Sequence, residues 1–173
     1  MQKNLKDFDS KEHIFIDTNV FLHHAFEMNP ISVDFLRRAE SFNLKVYTSA
    51  LVLEEISFKL LMQSASNFIS KVTVQNVKTF LKDDKNRKQV FEPISEYMKY
   101  IELLKESGMV IIEIKDSDMI KAVQKAKTYG LITADAAHLA VMERKGIQHI
   151  ATADNDFVSV PDITVWSPSA SPM

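Results

Sequence analysis

Asp17 directly follows the apolar run His13-Ile14-Phe15-Ile16 and precedes Thr18-Asn19 and the apolar Val20-Phe21-Leu22. A carboxylate delivered by a strand in this way sits where parallel sheets gather functional groups, just beyond the strands' carboxyl ends. Asp, Thr and Asn also cap helices well, so the residue by itself leaves both roles open. Asp154 repeats the arrangement: His149-Ile150-Ala151 leads into Thr152-Ala153-Asp154-Asn155-Asp156-Phe157. Its two carboxylates suit a turn or a metal site. Asp135 lies in Thr133-Ala134-Asp135-Ala136-Ala137-His138, with Thr133 the expected N-cap and the acid in a first helical turn. The helix dipole favours an acid there for stability alone.

Glu54 and Glu55 follow Ser49, the expected cap of a helix from Ala50. Leu51, Glu55, Phe58 and Met62 share one stripe at i, i+4, i+7 and i+11 spacing, whereas Glu54 lies about 100° round the helix. A charge on an apolar stripe is costly unless it is paired or holds a cation. Glu55 is therefore the expected functional acid and Glu54 its solvated neighbour. Taken together, three or four acids gather at one sheet edge with no Lys or Arg adjacent in sequence. Oxygen-only clusters of this kind suit Mg²⁺ or Mn²⁺. One or two such ions can activate water and offset the charge that develops in phosphodiester hydrolysis.

The elements that must position these acids alternate. Strands are expected at His13–Ile16, Lys45–Tyr47, Met109–Ile114, Gln148–Ala151 and Ile163–Trp166, with helices at about 31–42, 50–63, 66–82, 92–106, 118–128 and 134–145. That order argues for an α/β domain with a mainly parallel sheet. Gly108, Gly130 and Gly146 each close a helical pattern and precede an apolar run, as C-terminal caps do. These three are the only glycines, and none are clustered, so dinucleotide-binding and P-loop phosphate cradles are excluded. Phe21, Phe26, Phe35 and Phe42, with Leu22 and Leu36, are expected in the core or at a dimer interface.

The 173 residues fit one domain, expected over 1–166, with a disordered Ser/Pro-rich tail at 167–173. A net charge of −2 gives no overall basic field, which disfavours coating of nucleic acid by bulk electrostatics. There is no Cys, hence no disulfide or thiolate metal site. Met1–Glu12 has no apolar h-region and no run approaches the length of a membrane span, so a cytoplasmic, membrane-free protein is expected. His23 and His24 are adjacent and point to different helix faces, so they cannot form a two-His metal site unaided. Asn rather than Asp at position 19, and apolar residues before Asp17, set aside phosphoaspartyl phosphatases and receiver domains.

The blocks Ile16-Asp17-Thr18-Asn19, Ser49 with Glu55-Ile56-Ser57-Phe58, Asp135-Ala136-Ala137-His138-Leu139-Ala140 and Thr152-Ala153-Asp154-Asn155-Asp156-Phe157 resemble the PIN domain, nearest its VapC-like branch of toxin–antitoxin modules. The resemblance runs from about His13 to Phe157. It implies a three-layer α/β/α sandwich around a central, mainly parallel sheet and a Mg²⁺- or Mn²⁺-dependent endoribonuclease. Asp17, Glu55, Asp135 and Asp154 would be the catalytic, metal-binding acids. Thr152 would lie beside them, Asn19 would orient the first acid, and Asp156 would be an auxiliary acid. The implied partners are an RNA substrate, a second copy of the chain and an antitoxin. A housekeeping RNA-processing nuclease and an inactive PIN-like interaction module are the alternatives. The extra length falls at about 62–95, where Lys78–Lys88 is expected to end a helix near Lys82 and continue as an exposed loop. There Lys85, Arg87 and Lys88, with Lys71 and Lys59, are candidate RNA contacts, set against a plain solvated helix end.

Overall fold

Ile14, Phe15 and Ile16 are wholly buried, as an unbroken apolar run must be in a strand covered on both faces. The computed structural model describes residues 1–9, 11–41 and 44–169. Its strands are β1 (Gln2–Asn4), β2 (His13–Ile16), β3 (Lys45–Ser49), β4 (Val110–Ile112), β5 (His149–Ala151) and β6 (Thr164–Ser167). They form one sheet in the order β1-β6-β5-β2-β3-β4, and every pairing is parallel. The chain leaves β2 for β3 on one side and returns to β5 on the other. The gap beyond the end of β2 is thus the topological switch point, where parallel sheets open a crevice.

The helices are α1 (Thr18–Ala25), α2 (Pro30–Glu40), α3 (Ala50–Ala65), α4 (Val74–Phe80), α5 (Asp84–Glu106), α6 (Asp116–Tyr129) and α7 (Thr133–Lys145). On one side α1 packs on α2 and α3, and α3 on α5; α6 and α7 pair with each other, completing the α/β/α layers. Local chemistry sets the starts. Asn29 accepts from the Ile31 and Ser32 amides ahead of Pro30, and Ser49 accepts from the Val52 amide. In α7 every residue from Ala136 to Met142 is buried. A helix buried on all sides of its middle turns lies between other layers. Gly146 ends it at φ 65°, in the left-handed region that Gly alone enters without strain.

Several expectations are corrected. The helix expected over 66–82 is broken: α3 stops at Ala65, a turn intervenes, and Thr73 caps a new α4 by accepting from the Asn76 amide. The expected loop after Lys82 is the first part of α5. Asp83 caps it, and Arg87 donates to the Leu81 and Lys82 carbonyls at the end of α4. Dense charge there marks a solvated helical surface rather than a loop. Ala65, Val77 and Val90 form a small second apolar cluster that holds this insertion together. Gln2–Asn4 is a strand, paired with β6 by backbone bonds that a polar sequence does not advertise. Ser167, expected in the tail, is buried as the last residue of β6, while residues 170–173 lie outside the described residues. Phe21, Phe35 and Leu36 are core, Leu22 packs against it, Phe26 is exposed, and Phe42 lies outside the described residues. Among the described residues no helix is long and apolar enough to cross a membrane.

One buried acid went unnoticed in the sequence. Asp118, at the start of α6, accepts from Arg144 of α7 at 2.8 Å and from the Lys115 amide at 2.9 Å, and Arg144 also reaches the Glu113 carbonyl. The Arg144 charge and these bonds hold the Asp118 carboxyl below its ordinary range against the cost of burial. Asp118→Ala leaves the half-buried Arg144 with the Glu113 carbonyl and without its carboxylate partner. We expect a loss of about 3 kcal/mol and a fall in Tm of roughly 6–12 °C by calorimetry. An unchanged Tm would show that the pair does not fasten α6 to α7.

Candidate active site

The register of the central strands builds the site. Ile16 pairs with Ala151, so the next residues, Asp17 and Thr152, emerge side by side. The Asp17 amide donates to the Ala151 carbonyl at 3.0 Å. The Asp17 carboxylate is buried and almost fully engaged: Oδ1 accepts from the Thr18 amide at 2.7 Å. Its Oδ2 accepts from Asn19 Nδ2 at 2.6 Å and from the Thr152 hydroxyl at 2.7 Å. Each carboxylate oxygen has about two acceptor positions. Oδ2 is therefore saturated and Oδ1 keeps one position free. Asn19 continues the lattice, donating to Thr152 Oγ1 at 2.9 Å and accepting from the Ala153 amide at 2.8 Å. The Thr152 hydroxyl also accepts from the Asp154 amide at 2.9 Å, and Asp154 Oδ1 from the Asp156 amide at 2.9 Å.

Glu55 comes from the second turn of α3. Its Oε2 accepts from the Thr18 hydroxyl and lies 3.4 Å from His138 Nε2. His138 is wholly buried, and neither ring nitrogen makes a hydrogen bond. The stripe argument that singled out Glu55 needs revision. The buried stripe of α3 is Val52, Ile56 and Leu60, whereas Phe58 is exposed and Glu55 sits on the border facing the cleft. Glu54 is exposed at the rim of that same cleft. Asp135 stands in the first turn of α7, whose cap is the Ile132 position, with no bond from the Thr133 side chain expected to cap it.

These segments enclose a cleft of about 250 Å³ lined by Asp17, Asn19, Glu55, Lys59, Asp135 and Asp154, with Thr18, Glu54, Phe58 and Ile132. Oxygens of Asp135, Asp154 and Asp156 lie within 4.8 Å of one another, as do ligand atoms of Asp17, Glu55 and His138. All four principal acids, with Asn19 and Thr152, therefore come together. Lys85, Arg87 and Lys88 do not: they lie at the start of α5, where Arg87 and Lys88 pair with Asp84. Thr18 and Lys59 are the neighbours that sequence reasoning did not place in the cleft, whereas His138, three residues after Asp135, could be expected to approach it and lies 3.4 Å from Glu55. For the first two, the position of Thr18 beside Asp17 was the one available signal.

Electrostatics bears out the crowding. Burial pushes the Asp17 carboxyl up, as does the Glu55 charge, against the pull of His138 and the bonds from Thr152 and Thr18. Burial, then the charges of Asp17, Asp154 and Glu55, push Asp135 up to about 6, against His138. For Glu55 burial acts upward but is outweighed by His138, the Thr18 hydroxyl and the Lys59 charge, so its carboxyl falls below the ordinary range. Oxygen donors that repel one another in this way fit a hard divalent cation.

The family model described as PIN domain matches residues 14–163. A search of curated proteins returned no match. Among solved structures, the chain is similar to DNA-bound VapBC from Salmonella typhimurium at 12% identity and a TM-score of 0.56, covering 91% of this chain and 98% of that one. It is similar to VapBC2 from Rickettsia felis bound to a promoter DNA fragment, at 13% identity and 0.55, covering 90% and 98%. It is also similar to VapC20 from Mycobacterium tuberculosis, described as a sarcin–ricin loop cleaving toxin, at 17% identity and 0.54, covering 86% and 95%. At these identities the likeness concerns the fold.

The raised Asp135 carries a stability consequence with a definite sign. The folded state holds that proton up to about pH 6, the unfolded state only to about the ordinary 3.8. Between those values the folded state binds more protons, so stability falls as pH rises and stays at the lower level above pH 6. Asp135→Asn removes the penalty. In EDTA it should be more stable than the wild type at pH 7.5 by about 1–2 kcal/mol, discounted for its partial exposure. By pH 4 the difference should close. Urea melts at the two pH values check this, and a destabilised variant at pH 7.5 would contradict it.

Proposed function

This chain belongs to the PIN domain family, and from that premise we propose that it is a divalent-metal-dependent endoribonuclease acting as the toxin of a toxin–antitoxin pair. The observation that carries the proposal is the convergence of Asp17, Glu55, Asp135 and Asp154 from four separate segments on one cleft whose single basic lining residue is Lys59. Support for the toxin reading comes from the structural neighbours, which include VapBC complexes and a toxin described by the loop it cleaves.

In this reading Asp17, Glu55, Asp135 and Asp154, which line one cleft, would hold Mg²⁺ or Mn²⁺, and Asp156 supports Asp154 through its backbone amide. The bound ion would lower the pKa of a water and offset charge on the phosphodiester. Everything else is positioning by the protein. Thr152 and Asn19 saturate Asp17 Oδ2 and so fix the plane of its carboxylate. The Thr18 hydroxyl holds Glu55 Oε2, with His138 Nε2 3.4 Å from the same oxygen. Lys59, exposed at the rim, is placed to meet a phosphate. An antitoxin would cover this cleft. A second copy of the chain is favoured by the exposed apolar Met119, Ile120 and Val123, which share a face of α6.

The test is cleavage of a panel of structured and single-stranded RNAs with Mg²⁺, Mn²⁺ or EDTA. Cleavage should require the ion and vanish in Asp17→Asn. Thr152→Val, which keeps the shape of the side chain but frees Asp17 Oδ2, should lower activity 10–100-fold at unchanged fold. Cleavage that persists in EDTA, or a protein that binds no divalent ion, would overturn the proposal. In the second case an interaction module would take its place.

A further inference from the structure

The acidic cleft repels the polyanion it is proposed to cut, so attraction must come from elsewhere on a chain of net charge −2. The inserted segment supplies it. Residues 71–88 contain Lys71, Lys78, Lys82, Lys85, Arg87 and Lys88 against Asp83 and Asp84. Asp84 takes up Arg87 and Lys88. Among the described residues Lys71, Lys78, Lys82 and Lys85 have no ion-pair partner, and all four are exposed.

Beside Lys71 lies an aromatic pair at the edge of the small apolar cluster. Phe68 and Phe80 stack with ring centroids 5.8 Å apart and an interplanar angle of 23°. Phe80 leans on the small cluster of Ala65, Val77 and Val90, whereas Phe68 belongs to neither apolar cluster and is 46% exposed. The pair walls an open groove of about 440 Å³ with Lys71, Asn76 and Thr79. The groove is held in shape: the Phe68 amide donates to the Ala65 carbonyl at 3.0 Å, and Asn76 Nδ2 to the Lys71 carbonyl at 2.8 Å. On α3, Glu55, Phe58 and Met62 line up at i, i+3 and i+7 and lead from the cleft toward this groove. From Glu55 to Ala65 is about 15 Å along the helix.

We propose that Phe68 and Phe80, with Lys71 in the same groove, form a stacking platform for unpaired bases of a single-stranded RNA whose backbone continues along α3 into the cleft. Aromatic faces beside a basic groove are how unpaired strands are held without sequence readout, and a duplex, whose bases are already stacked, gains nothing from them. The proposal rests on the ribonuclease reading and adds a second binding site outside the cleft, on the inserted segment, that holds the strand to one side of the cut.

The test uses the full chain in EDTA with fluorescein-labelled single-stranded and hairpin RNAs. Phe68→Ala should weaken single-strand binding about tenfold, at unchanged salt dependence and unchanged hairpin affinity. Lys71→Ala should instead flatten the salt slope, by about 0.7. Phe68→Trp should keep the affinity and report stacking directly. Trp166 is the only native tryptophan and is buried, so quenching by added RNA would come from position 68. Wild-type affinity in Phe68→Ala, or an unquenched Phe68→Trp, overturns the platform and points to a protein as the occupant of the groove. Should the wild type cleave RNA with Mn²⁺ while Phe68→Ala loses no affinity, only the platform falls. A wild type that neither binds nor cleaves RNA removes both.

Discussion

The parallel pairing of Ile16 with Ala151 is the constraint from which the site follows. Two strands distant in sequence end at the same level, so the first polar residue after each, Asp17 and Thr152, meets the other at hydrogen-bond distance. A slip of one residue would turn Asp17 to the other face of the sheet and bring a different residue against it. The buried run Ile14-Phe15-Ile16 makes that slip costly, because it would also displace a wholly enclosed apolar strand. Placement of the Asp17 carboxylate in the cleft is thus a by-product of core packing.

The remaining acids arrive by different means and at a cost. Glu55 is carried on the border of an α3 whose buried stripe faces the core, and Asp135 stands in the first turn of an α7 buried from Ala136 to Met142. Their mutual repulsion, expressed in the raised Asp17 and Asp135, works against folding. The fold bears it through contacts elsewhere, among them the Asp118–Arg144 pair that ties α6 to α7. Strain of this electrostatic kind is common where a site is prepared for a ligand of opposite charge.

Much of this was legible in the sequence because the central strands are apolar and the acids follow them directly. β2 falls at the expected His13–Ile16, and Ser49 caps α3 as expected. The choice of Glu55 over Glu54 came from a stripe that lies one residue off the buried one. It singled out the acid nearer Asp17 because that stripe borders the cleft. What stayed hidden depends on long-range contacts. β1 is written Gln2-Lys3-Asn4 and is held by backbone pairing with β6, which has no side-chain signature. The break at Ser66–Thr73 and the early start of α5 depend on a Thr cap, an Asp cap and the Ala65–Val77–Val90 cluster, which unite distant residues. The approach of His138 to Glu55 requires α7 and α3 to meet across the end of β2.

The central claim is that the four acids form one cation site whose charges are coupled. The most direct measurement is calorimetric titration of Mn²⁺ into the metal-free protein at pH 6 and pH 8, in buffers of different ionisation enthalpy, which yields the protons released on binding. At pH 6, near the value to which Asp135 is pushed, binding should release about half a proton from that group, together with any held by Asp17. At pH 8 binding should be tighter and the Asp135 contribution should vanish. Binding without proton release at pH 6, or no binding at either pH, would contradict the claim.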